Sequence, residues 1–85
     1  GSDVFIMATS GLVIFRFFNP NTGAFDMRSA DLDETEETRV PAGALISVVY
    51  RPEEKIIEVY FISGEKTVIV QFSLLSTDTV ARPVE

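Results

Sequence analysis

An all-β fold, a six-stranded small antiparallel barrel or sandwich built from two three-stranded meanders, is predicted by three features of this chain. Residues 44–74 hold three runs rich in Val, Ile, Tyr and Phe (ALISVVY, KIIEVYFI, TVIVQFSL) separated by turn-forming residues, the pattern of an antiparallel meander. Residues 3–29 repeat that strand–turn–strand–turn–strand plan without evident residue identity. Gly and Pro fall between the apolar runs rather than inside them, where they serve turns.

The hairpin around Gly64-Glu65 can be tested on paper. With Gly64 at the first central position of a two-residue type II′ turn, its positive φ carries no Cβ strain. Phe61 then faces Val68, Val59 faces Val70 and Ile57 faces Phe72, all on one face because side chains alternate with period two. A slip by one residue spoils all three matches.

From the N-terminus, Gly1-Ser2 reads as the remnant of a cleaved tag, and a single β domain spans residues 3–75. Strands at 3–8 and 12–18 meet at a tight Ser10-Gly11 turn, which sets Ala8 against Val13, Ile6 against Phe15 and Val4 against Phe17. The other face holds Phe5 with Arg16 and Met7 with Ile14, so both faces are largely apolar. Asn19-Pro20-Asn21-Thr22-Gly23 is a loop, in which Pro presets φ and Gly23 takes a left-handed conformation before the chain re-enters a strand. The third strand, 24–29, places Phe25 and Met27 on one face and Asp26 and Arg28 on the other, the alternation of a half-exposed edge strand.

Residues 30–38 (ADLDETEET) form an acidic connection between the meanders, with Leu32 its one large apolar residue. Val40-Pro41-Ala42-Gly43 bends into the fourth strand. The turn Arg51-Pro52-Glu53-Glu54 suits type I with Pro52 at the first central position. Pairing Tyr50 with Lys55 puts Val48 opposite Ile57 and Ile46 opposite Val59 on the first face, and Val49 by Ile56 and Leu45 by Tyr60 on the second. With Ile62 and Ile69, that second face carries six large apolar residues: Leu45, Val49, Ile56, Tyr60, Ile62 and Ile69. A sheet buried on one face only does not carry such a pattern. Those six residues are the candidate interface, to be covered by a partner, by the other meander or by closure of a barrel. Residues 76–85, rich in Ser, Thr, Asp and Pro, are expected to form an extended tail.

Composition removes several function classes. The 85 residues suit one small domain, and without Cys or His the usual disulfide scaffolds and Cys/His zinc sites are excluded. Thirteen acids against seven bases give a net charge of −6, which repels phosphate backbones and anionic membranes. No run approaches the about 18 apolar residues of a spanning helix, so neither nucleic acid nor membrane insertion is expected.

The acidic stretch from Asp31 to Glu37 invites a calcium reading, but it lacks the Gly turn and spaced ligands of a calcium-binding loop and reads as a solvated connection. Glu58 is the only carboxylate inside a strongly apolar strand and the best candidate for a perturbed pKa, although the simpler reading sets it in solvent beside Gln71. No serine lies in a G-x-S-x-G context, no histidine can serve as its base, and no phosphate-binding glycine motif occurs. No catalytic, cofactor-binding or metal-binding residue is therefore assigned.

Residues 47–53 (SVVYRPE), followed by Ile57-Glu58-Val59 and Phe61-Ile62-Ser63-Gly64, are similar to the central hairpin of the small KTSC-type domains. The lysine-threonine-serine-cysteine-like end that names that family has no counterpart in this chain, and the resemblance implies no function. The expectation is a non-enzymatic protein-interaction or assembly module, either self-associating or one part of a larger protein. The alternative is a small carrier of an apolar ligand.

Overall fold

The computed structural model describes residues 4–9, 11–32, 37–40 and 43–84 of the chain. All regular structure there is antiparallel β. One sheet has the order β1 (Val4–Thr9), β2 (Leu12–Asn19), β3 (Ala24–Asp31). The second has the order β4 (Leu45–Arg51), β5 (Ile56–Ser63), β6 (Lys66–Ser73), β7 (Thr79–Val84). Among the described residues no strand pairing joins the two sheets into a closed ring.

Two hairpin registers match the sequence expectation residue for residue. β1 and β2 pair Val4 with Phe17, Ile6 with Phe15 and Ala8 with Val13. β5 and β6 pair Ile57 with Phe72, Val59 with Val70 and Phe61 with Val68. Gly64 has φ 59°, as the first central position of the expected turn requires.

The sheets share one core. Val13, Phe15 and Phe17 from β2 and Leu32 beyond β3 meet Ile57, Val59, Phe61, Val68, Val70, Phe72 and Leu74. Phe15 stacks on Phe17 at 4.9 Å and, across the sheets, on Phe72 at 4.8 Å between ring centroids. Two polar links hold the rims. The buried Asn19 donates through Nδ2 to the Leu74 carbonyl (3.1 Å) while its Oδ1 accepts from the Asn21 amide (2.9 Å). The Leu32 amide donates to the Gly11 carbonyl (2.6 Å), which anchors the start of the acidic connection. The rest of that connection, Asp33 to Glu36, lies outside the described residues, as do the Ser10 turn position and Pro41-Ala42.

Two expectations need correction. The β4–β5 connection is a four-residue loop, Pro52-Glu53-Glu54-Lys55, closed by the left-handed Lys55 (φ 58°), so Arg51 pairs with Ile56 and Tyr50 with Ile57. The register is shifted by two residues; an even shift keeps every side chain on its expected face but changes its neighbours. The segment expected as an extended tail is extended and also paired: β7 runs beside β6, with Phe72 opposite Thr79 and Ile69 opposite Arg82. On β3 it is the polar residues that face the core side, since Asp26 and Arg28 stand opposite Phe17 and Phe15, while Phe25 and Met27 are exposed. The Arg28 guanidinium donates to Asp26 Oδ2 (2.9 Å) and lies 5.8 Å from the Phe17 ring centroid, so its stem and fork cover aromatic surface at the sheet rim.

Candidate interaction surface

The outer face of the four-stranded sheet is built from odd-numbered residues of β4 and even-numbered residues of β5, followed by odd residues of β6 and even residues of β7. All six predicted interface residues lie on it. Cross-strand pairing brings Leu45 beside Ile62 and Tyr60 beside Ile69, whereas Val49 and Ile56 are separated by the two-residue shift. Val49 stands opposite Glu58, and Ile56 opposite Arg51.

Their exposure differs from the expectation of one open apolar patch. Leu45 is 72% and Ile62 38% exposed, but Val49, Ile56 and Tyr60 are half-buried and Ile69 is only 4% exposed. For Ile69 the reason is β7: it makes β6 an interior strand and sets Arg82 opposite Ile69, a cover absent from any reading that leaves residues 76–85 as a tail.

The middle of this face is polar. Glu58, 5% exposed, receives Arg51 Nε at Oε1 (2.7 Å), Tyr60 Oη at Oε1 (3.2 Å) and Gln71 Nε2 at Oε2 (2.8 Å). Sheet geometry makes this cluster: Gln71 is the direct cross-strand partner, Tyr60 lies two residues along on the same face, and Arg51 is the diagonal neighbour on β4. The Arg51 hydrogen bond, then that of Gln71, holds the Glu58 carboxyl below its ordinary range against the opposing effect of burial. Gln71 stands beside Glu58 as the sequence suggests, but the carboxylate faces side chains rather than solvent. An ionised carboxylate with both oxygens occupied by donors is a structural anchor and a poor general base.

A second set of exposed apolar residues lies on the first face, where the sequence places Ile46 and Val48. Ile46, Val48 and Tyr50 point to the core side of β4, opposite Phe61, Val59 and Ile57, yet all three are exposed. Strands lie about 4.8 Å apart, so a four-stranded sheet is wider than the three-stranded sheet that faces it, and β4 overhangs. The clue in the sequence is the seventh strand. The outer face of the three-stranded sheet carries another apolar group, Leu12, Phe18, Phe25 and Met27, with the Arg16 guanidinium 4.5 Å above the Phe25 ring.

Among the described residues no cluster of acidic side chains is arranged to hold a metal ion, and no helix is long and apolar enough to cross a membrane. Comparison with protein-family models, with curated proteins and with solved structures finds no match to this chain.

Proposed function

We propose that this domain is a non-enzymatic assembly module that binds a second copy of itself through the β4 side of its larger sheet. The observation that carries the reading is the overhanging strand, whose Leu45, Ile46, Val48 and Tyr50 expose apolar surface on both of its faces, with Ile62 beside them. Contiguous exposed apolar surface on a small domain marks an interaction site more often than an accident of packing. The saturated hydrogen bonding of Glu58 supports a non-enzymatic role, since the one buried carboxylate among the described residues is occupied as an anchor. The surplus of acids favours a protein over a nucleic acid as partner.

The finer architecture fits a compact sandwich rather than a barrel, because the rings of Phe15 and Phe72 stack between sheets that share no paired strand among the described residues. The rings of Phe15, Phe17 and Phe72 pack together between the sheets, and nothing among the described residues favours the carrier of an apolar ligand. Size-exclusion chromatography with light scattering tests the reading. The expected mass rises above that of the 9.4 kDa chain as concentration increases through the micromolar range. A constant monomer mass at high micromolar concentration overturns it.

A further inference from the structure

An uncovered edge strand offers a row of backbone N–H and C=O groups to any strand that can reach it, and proteins guard such edges with charge or proline. Two edges here are guarded. β3 turns Asp26 and Arg28 toward the core side, and β7 carries Arg82 and Pro83, of which proline cannot donate to a ladder. β4 is different. From Leu45 to Tyr50 it has neither charge nor proline, and Leu45, Ile46, Val48 and Tyr50 are 72%, 45%, 37% and 47% exposed. The N-terminal edge strand, VFIMAT, is uncharged too and is the rival edge.

We infer, resting on the self-assembly reading above, that β4 pairs antiparallel with β4 of a second copy about a two-fold axis at Val48, joining the two four-stranded sheets into one continuous sheet. The strand is self-complementary in this register. With Val48 opposite its own copy, Ile46 meets Tyr50 of the other copy and Tyr50 meets Ile46, so the exposed core-side stripe forms three apolar cross-strand pairs and no mixed one. On the outer face Ser47 meets Val49, and Leu45 meets Arg51. A two-fold axis normal to the sheet preserves faces, so the alternative centres lie one residue away on either side. Centring on Ser47 sets Tyr50 against Ala44, and centring on Val49 sets Ile46 against Pro52, which has no N–H to offer. Only the Val48 centre uses all seven residues of the strand.

The chain has no cysteine, so a single introduced thiol reports geometry directly. Directly opposed residues in an antiparallel pair have Cα atoms about 4.5–5.5 Å apart, within disulfide range. Val48→Cys should oxidise to a covalent dimer, whereas Met27→Cys, more exposed than Val48 and on the outer face of the other sheet, should not. Val48→Lys should weaken dimerisation at least tenfold with an unchanged circular dichroism spectrum. A Val48→Lys variant that dimerises as tightly as wild type, or a Val48→Cys variant that fails to bridge, overturns the edge pairing while self-assembly stands. A wild-type chain that stays monomeric removes the self-assembly reading itself, and the edge pairing with it.

Discussion

Glu58 sits in the middle of the outer face with both carboxylate oxygens engaged, and its chemistry follows from the two-residue register shift. Had Tyr50 paired with Lys55, Glu58 would stand opposite Ser47; the observed pairing brings Arg51 into diagonal reach instead. Sequence alone marks Glu58 as unusual because it interrupts an apolar strand. The direction of its shift depends on Arg51 and Gln71, which only the folded register supplies. A carboxyl whose folded pKa is depressed binds its proton more tightly in the unfolded chain, so it adds stability above its ordinary pKa. That stability is lost as pH falls from the ordinary glutamate range through the depressed folded value. Asp26, held down by its hydrogen bond from Arg28, acts with the same sign. Melting temperatures of wild type and Glu58→Gln should therefore differ most near neutral pH and converge in acid, with wild type the more stable at neutral pH. A difference that grows on acidification contradicts the assignment.

Among the elements, the two hairpins with glycine in a two-residue turn were legible from sequence, because a one-residue slip would mismatch every apolar pair. The β4–β5 connection was not. Pro52 suits a tight type I turn, but the loop is closed by Lys55 in the left-handed region, and side-chain preference gives no warning of a non-glycine residue there. Lys55→Gly should relieve that strain and raise stability by up to about 1 kcal/mol after glycine's added unfolded-state entropy, read from the urea midpoint. A clear loss of stability would contradict the left-handed assignment. β7 escaped a strand reading because Arg82 and Pro83 break its apolar alternation, the same residues that guard it as an edge. β3 was recognised as a half-exposed edge, yet its polarity runs opposite to the simple rule. Arg28 covers Phe17 from the core side, and Phe25 packs edge-to-face against Phe18 at 5.6 Å on the outside. The six candidate interface residues lie on the expected face, but the cover of Ile69 depends on β7.

At the scale of the whole molecule, the mismatch between a four-stranded and a three-stranded sheet organises everything that bears on function. Among the described residues the wider sheet leaves β4 exposed on its core side and unpaired at its edge, whereas charge or proline protects β3 and β7. A domain of this size buries a small fraction of its chain surface compared with larger ones, and pairing at β4 adds apolar cover where the monomer lacks it. Hydrogen–deuterium exchange at low and high protein concentration reads that edge directly, because unpaired backbone amides exchange unless a partner engages them. The outward-pointing amides of Leu45 to Arg51, every second residue of the strand, should slow as concentration rises while those of β3 and β7 keep their rates; outward β4 amides that exchange at the same rate at both concentrations would contradict the edge pairing.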